Sequence, residues 1–504
     1  MAKRQNPRHH SSGDSLEMRQ LMSGVSGIQV NLNAATRTLS ITGTESADDV
    51  SIQQNDGLKT LTVLTRQADG VRTGNDLQLH IGAAIINQQI DDQSVSQRSA
   101  NLRPLRSLRT TPQSRDFIRS EWHRGGADSR HDIQNQASIS GILADVAAKY
   151  GIPGLSASVI IGDRVLTGAA GVRAAGAADK VRVTDRFGNG STTKAMTATL
   201  AAVLVERGVI RWDSTIGELF PEMRGTIRPE YLTVTLEQLL QHRGGVISDD
   251  EASEALIEKV ANTKGPAPAV RRKLIPEVLK EQSSIPIGEF NYSNSGYVLA
   301  GAMLERVTRV SYERLMQKYI FNPLGMRSAT FDPPMSNPRH PRAPIGHLPD
   351  GTPAPGDRPP LAYLTDFLHP AGSDIRLNVG DWSKFIRVHL GETVNGVRLL
   401  TPGTLDRLHR GVEISDGVGY ASGWVTIPKE LTGLDPALGR IITHNGSDGV
   451  WLAEVTALPE SGLAIAIMAN ATVDKFGNSL DQEAFAEIKL RLLQRFAPAS
   501  QLTV

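Results

Sequence analysis

The stretch Gly190-Ser191-Thr192-Thr193-Lys194 places a serine and a lysine three residues apart at the start of an apolar segment. The apolar residues that follow recur at helical spacing up to a predicted helix end near Gly208: Met196, Leu200, Val203 and Leu204. Residues three apart share one side of a helix, so Ser191 and Lys194 are expected to lie together. An adjacent ammonium favours the serine alkoxide, and the helix N-terminus adds positive potential where an oxyanion would form. The pattern therefore suits nucleophilic catalysis.

The same pattern also has an ordinary interpretation, in which a serine caps the helix and the lysine lies on the surface. A serine and a lysine at this spacing arise by chance about once in a chain of such length. Against this, Lys194 lies in a run otherwise made of alanine, threonine, methionine and leucine. Burying a lone lysine there would be costly without a purpose.

Two further segments carry candidate functional residues. The polar loop Phe290–Tyr297, which includes Tyr292 and Asn294, leads into an apolar helix, and His444-Asn445-Gly446-Ser447 precedes a predicted strand. Taken alone, the first is typical of a capping turn and the second of a surface histidine.

Three motifs thus occur in a fixed order along the chain: Ser191-x-x-Lys194, Tyr292-x-Asn294 and His444-x-Gly446. In this order and spacing they resemble the serine β-lactamase and penicillin-binding-protein superfamily, closest to class C β-lactamases and family VIII carboxylesterases. The resemblance extends over residues 138–497. It is supported by four other stretches: Ile152-Pro153-Gly154, Leu239–Gly245, Pro323–Met326 and Pro370-Ala371-Gly372.

The resemblance implies an α+β fold of the β-lactamase/transpeptidase type. An antiparallel five-stranded sheet is flanked by helices, and an all-helical subdomain carries the serine. It also implies that Ser191 is the nucleophile and that Lys194 holds it and helps to remove its proton. Tyr292 is implied to be the general base, as a phenolate or through Lys194, and later the acid toward the leaving group.

The remaining implied site residues contact the substrate. Asn294 is expected to donate a hydrogen bond to it, and the backbone N–H groups of Ser191 and Ser447 form the oxyanion hole, next to Gly446. His444 is a departure, because β-lactamases and D,D-peptidases of this superfamily usually carry Lys-Thr-Gly there, with the lysine paired to a substrate carboxylate. Histidine is mostly neutral at pH 7, so this attraction weakens while uncharged esters lose nothing.

The leading hypothesis is therefore a carboxylesterase that forms an acyl-enzyme on Ser191. One alternative is a β-lactamase or D-Ala-D-Ala carboxypeptidase. Another is a penicillin-binding or sensor protein that acylates and barely deacylates. The chain contains no Gly-x-Ser-x-Gly, which argues against an α/β-hydrolase, and no His-Glu-x-x-His. The mechanism requires no cofactor and no metal.

Bulk composition limits the partners. The net charge is +1, hydrophobic residues make up 39% and charged residues 21%, and cysteine is absent. We expect a small-molecule ester or amide substrate and no nucleic-acid partner. No signal peptide and no membrane span is predicted, which makes cytoplasm the default compartment, with a secreted or periplasmic location open. The oligomeric state stays open.

Four segments are predicted from the composition. Residues 1–24 form a disordered N-terminus, 25–90 a small β-rich module, 91–135 an Arg/Ser/Gln-rich linker and 136–504 the hydrolase domain. Residues 37–50 resemble the lead-in to hemolysin-type β-roll repeats, without the nonapeptides that would bind calcium. The basic linker has an open alternative as a contact for RNA, a membrane or another chain. The proline-rich residues 332–370 are either a loop bordering the substrate cleft or a simple surface loop.

Overall fold

A computed structural model describes residues 28–33, 38–43, 49–54, 61–67, 70–72, 129–331, 339, 341–354, 366–431 and 438–496. The chain divides into two compact units. The predicted N-terminus 1–24 lies outside the described residues, as do most of the predicted linker and part of the proline-rich segment.

The first unit contains one antiparallel sheet in which each strand pairs with the next along the chain. Its strands are β1 (Ile28–Asn33), β2 (Thr38–Gly43), β3 (Asp49–Gln54), β4 (Leu61–Gln67) and β5 (Gly70–Arg72). Alternating apolar and polar residues, with turn-forming residues between the segments, are typical of such a meander. The predicted domain limits and the likeness to a β-roll stay predictions.

The second unit is built around an antiparallel sheet of eight described strands in the order β10-β11-β12-β13-β14-β15-β6-β7. Its strands, with the separate β8–β9 pair, are β6 (Gly154–Ile161), β7 (Arg164–Gly171), β8 (Phe187–Gly188), β9 (Arg376–Leu377), β10 (Val412–Ser415), β11 (Val418–Ala421), β12 (Trp424–Ile427), β13 (Ile441–Ser447), β14 (Leu452–Leu458) and β15 (Leu463–Ala469). The predicted α+β class is confirmed. The sheet has eight described strands where five were expected, because three four-residue strands extend its edge beyond the five long ones. These short strands pair backbone groups that would otherwise be exposed.

Both faces of this sheet are covered by helices. In β6, Leu155, Val159 and Ile161 belong to a core cluster with residues of the first and last helices of the unit, whereas Ile160 belongs to the cluster of the helical subdomain. Successive side chains of a strand point to opposite faces, so one strand contributes to both cores. This explains why β6 is buried along its whole length.

The α-helices in the described part of the unit are α1 (Ser129–Tyr150), α2 (Thr193–Glu206), α3 (Ile216–Leu219), α4 (Leu236–Leu240), α5 (Glu254–Asn262), α6 (Ala267–Val278), α7 (Asn294–Thr308), α8 (Tyr312–Met316), α9 (Asn322–Leu324), α10 (Val379–His389), α11 (Pro402–Leu408) and α12 (Glu483–Phe496). In sequence, α1 precedes all the strands of the sheet and α12 follows them, while α2–α11 lie between β8 and β10. The chain therefore leaves the sheet region after β7, builds the helical subdomain, and returns to complete the sheet.

Candidate active site

The candidate nucleophile lies in a short 3-10 turn, Gly190–Thr192, that continues directly into α2. The sequence predicted Ser191 on the α-helix itself, and the structure places it just before the helix. Lys194 lies in the first turn of α2, and residues three apart share one side of a helical turn. Accordingly, Lys194 Nζ is 2.9 Å from Ser191 Oγ, and Lys194 is fully buried.

Lys194 makes two more hydrogen bonds, both to oxygens that can only accept. Its Nζ donates to Asn294 Oδ1 at 2.6 Å and to the Ala371 carbonyl at 2.8 Å. The orientation of the Asn294 amide is fixed from its other side, because Nδ2 donates to Asp249 Oδ2 at 2.6 Å. With two positions of the amine taken by these acceptors, the third is directed at the serine hydroxyl.

The electrostatics of the site favour a neutral amine. Burial lowers the pKa of Lys194 to about 7, and the charge of Asp249 opposes this shift. When the proton is lost, the N–H groups still serve Asn294 and Ala371. The lone pair then faces the Ser191 hydroxyl. This is the arrangement that a general base needs.

We expect a pH dependence from this shift. If neutral Lys194 is the base, log kcat/KM for an ester should rise with pH up to about 7 and level off above it. Below this pKa the amine is protonated and has no lone pair, so kcat/KM falls as the pH falls. A steady-state profile between pH 5 and 9 measures it. A profile that is flat, or that falls over the same range, would rule out this base.

Tyr292 lies over the same lysine, with Lys194 Nζ 4.8 Å from the centre of its ring. Burial raises the pKa of Tyr292 far above its ordinary value, although its hydrogen bond with Ser191 acts in the opposite direction. A phenolate is therefore disfavoured at neutral pH. Of the two predicted routes, these electrostatics favour proton transfer through Lys194, with the Tyr292 hydroxyl as a relay.

His444, the predicted departure from the usual lysine, is buried on β13. Its Nε2 is 3.2 Å from the Tyr420 hydroxyl, and its Nδ1 hydrogen bonds with the carbonyl of Asn445. Burial and the nearby Lys194 lower the pKa of His444 to about 4. The imidazole is therefore neutral at physiological pH and supplies no charge for a substrate carboxylate.

The second half of β13 is positioned against the serine turn. β12 pairs with residues 441–443 of β13, and the segment from His444 to Ser447 faces the active site instead. A Cβ on Gly446 would lie 2.5 Å from the Ser191 backbone nitrogen, and one on Gly190, whose φ is 50°, would lie 2.5 Å from Ser447 N. Only glycine permits this close approach of two backbones. It brings the N–H groups of Ser191 and Ser447 close together.

Sequence reasoning missed several residues that complete this arrangement. Asp249 orients Asn294, and the Ala371 carbonyl holds Lys194. His242 packs its ring 4.2 Å from that of Tyr292 and accepts a hydrogen bond at Nδ1 from the backbone N–H of Ser293. Asp249 is one of several acids in a polar loop, and no pattern distinguishes it from its neighbours. His242 and Ala371 belong to stretches that carry the resemblance, but nothing in the sequence assigns a role to either residue.

A pocket of about 450 Å³ opens onto the serine. Its wall combines the site residues with aromatic and aliphatic side chains. It is lined by Ser191, Phe290, Tyr292, Ile414, Tyr420, Val425, His444, Asn445, Gly446, Ser447, Leu452, Thr472, Ser479 and Asp481. The volume is sufficient for a small organic molecule.

The fold and the buried serine–lysine pair are those of serine hydrolases with the β-lactamase fold. The family model described as Beta-lactamase matches residues 139–487, which is more than half of the chain. The chain belongs to this family.

Individual relatives are distant. Penicillin-binding protein 4 of Amycolatopsis lactamdurans is 24% identical over 374 residues, covering 70% of this chain and 90% of the relative. The unguisins hydrolase of Aspergillus violaceofuscus is 25% identical over 360 residues, covering 65% of this chain and 60% of the relative. A solved class C β-lactamase superposes with a TM-score of 0.58 at 19% identity, covering 75% of this chain and 99% of that one. The last comparison shows the fold alone. Within the described ranges, no helix is long and apolar enough to cross a bilayer.

Proposed function

We propose that this protein is a carboxylesterase that forms an acyl-enzyme on Ser191. The observation that carries the choice of ester is the neutral His444, which stands where a lysine would attract a substrate carboxylate. In addition, the described lining of the pocket contains no lysine or arginine. β-Lactams and D-Ala-D-Ala peptides carry that carboxylate, whereas simple esters do not depend on it.

The proposed reaction begins with proton transfer from the Ser191 hydroxyl to neutral Lys194. The serine oxygen attacks the ester carbonyl, and the N–H groups of Ser191 and Ser447 stabilise the oxyanion, an effect of about 3 kcal/mol per donor in comparable sites. Collapse of the intermediate breaks the bond to the alcohol, which receives the proton from Lys194 through Tyr292. Water then attacks the acyl group and gives its proton to Lys194. The bond between the acyl carbon and Ser191 Oγ breaks, Lys194 returns the proton to the Ser191 oxygen, and the acid is released.

The test is a comparison of substrates with the wild-type protein. We expect kcat/KM for p-nitrophenyl butyrate to exceed that for a chromogenic cephalosporin by at least about tenfold, since the β-lactam loses its carboxylate contact, worth about 1.5–3 kcal/mol as a charged hydrogen bond. The measurement is initial rate against concentration for both, with intact-protein mass spectrometry after each incubation.

Two results would contradict the proposal. A cephalosporin turned over faster than the ester would favour a β-lactamase. A β-lactam adduct that persists on the protein, without turnover of either substrate, would favour a penicillin-binding or sensor protein.

A further inference from the structure

Asp481 is the acidic residue in the described lining of the pocket. It precedes α12 and lies beside β13, where its Oδ2 accepts a hydrogen bond from Asn445 Nδ2 at 2.7 Å. The Ser479 hydroxyl donates to Oδ1. Asn445 directly follows His444, so this carboxylate is held next to the strand that borders the nucleophile.

Asn445 and Ser479, the two side chains that donate hydrogen bonds to Asp481, are neutral. An ionised carboxylate can accept about four hydrogen bonds, so two donors leave acceptor capacity toward the pocket. No lysine or arginine of the described lining compensates its charge. Lys194 is buried beneath the serine, with its N–H groups used by protein acceptors, and is not part of the lining. With Asp481 ionised, the described lining of the pocket therefore carries a net negative charge.

A concave site with low-dielectric walls concentrates such a field. Phe290, a partly exposed aromatic residue of the same wall, is also attractive to a cation. The negative charge and the aromatic ring in the wall of the pocket thus both favour a cationic ligand.

We propose that the substrate of this site carries a positively charged ammonium group and that Asp481 is the residue that recognises it. This inference rests on the proposed esterase function and specifies its substrate class. Asn445 and Ser479 position the carboxylate. An anionic substrate is repelled by the same charge, which adds to the loss of attraction at His444.

The test uses pairs of esters of equal shape that differ only in charge. On the acyl side, the p-nitrophenyl ester of 4-(trimethylammonio)butyrate is compared with that of 5,5-dimethylhexanoate. On the alcohol side, butyrylcholine is compared with 3,3-dimethylbutyl butyrate. The measured quantity is the ratio of kcat/KM between the cationic and the neutral ester in each pair, so that any general loss of activity in a variant cancels.

We expect the ratio to be about tenfold in favour of the cation for at least one pair, and to fall to about one in Asp481→Asn. The ratio should also decrease at high salt. Asp213→Asn is the matched control, because it removes the same charge from an exposed position paired with Arg211, away from the pocket lining. It should keep the wild-type ratio. A wild-type ratio near one in both pairs, or a ratio unchanged in Asp481→Asn, would overturn the proposal.

Binding to Ser191→Ala separates this proposal from the esterase function. Calorimetry with the same esters needs no turnover, and Ser191→Ala should bind the cationic ester about tenfold tighter than its neutral partner. Adding Asp481→Asn should remove that difference. If the cationic ester binds more tightly but wild type hydrolyses none of the esters, the proposed esterase function is contradicted and the recognition of a cation by Asp481 is supported. If the two esters bind equally, only the recognition of a cation is contradicted.

Discussion

Replacing Ser191 by alanine is expected to lower kcat/KM for p-nitrophenyl butyrate by at least about a thousandfold. The side chain removed is the nucleophile, and the lysine held 2.9 Å away then has no hydroxyl to deprotonate. The pocket and the proposed oxyanion donors stay in place because the backbone of residue 191 is retained. The measurement is the steady-state rate of both proteins purified in parallel.

Ser461→Ala is the control for this variant, because it removes a serine hydroxyl from the turn between β14 and β15 without altering the pocket lining. Its activity should match that of wild type. Equal rates in Ser191→Ala and wild type would show that the ester cleavage is incidental and that the nucleophile is assigned wrongly. Mass spectrometry adds a second criterion, since an acyl adduct should form on wild type alone.

Lys194 is expected to be nearly as important. Lys194→Met keeps an unbranched side chain of similar length but has no base, and Lys194→Arg keeps a positive charge that is not lost at any physiological pH. If the lone pair directed at Ser191 is what matters, both variants should lose at least about a hundredfold in kcat/KM. The rates are measured at pH 8, where wild-type Lys194 is largely neutral.

The pair of variants distinguishes a base from a structural charge. Substantial activity in Lys194→Arg would mean that positive charge suffices, and the role of Lys194 as proton acceptor would be wrong. Because Lys194 is fully buried, its replacement also alters packing, so circular dichroism and Tm are recorded for each variant. A folded but inactive Lys194→Met is the expected result.

Much of this molecule was predictable because its elements carry local signals. Two apolar runs around Gly162-Asp163 are typical of a hairpin, and β6–β7 forms there with Ile161 paired to Arg164. The sequence of β14–β15 has the same pattern around Pro459–Gly462, and Phe485 and Ile488, which are at helical spacing, lie on the buried face of α12. In each case, periodicity and turn chemistry determine the structure within a few residues.

The parts that were not predicted depend on contacts between distant segments. Asp249 reaches Asn294 only because the loop before α5 folds over the start of α7, and nothing in the sequence near either residue indicates that meeting. The resemblance implies five strands, and the three further strands β10–β12 are short and only partly apolar, so local sequence signals do not indicate them. The pKa of Lys194 follows from complete burial, which the apolar run suggested and the packing achieves.

The arrangement of β6 and β15 has a consequence for how the chain is made. Gly154–Ile161 is synthesised before the helical subdomain, yet its neighbour on the side opposite β7, Leu463–Ala469, follows that subdomain in sequence. During translation the ribosome must release the entire helical subdomain before this edge is covered. Non-local pairing of this kind is slow and leaves an apolar strand edge exposed in the nascent chain. Codon usage and chaperone supply during that interval are therefore expected to determine the soluble yield of the protein.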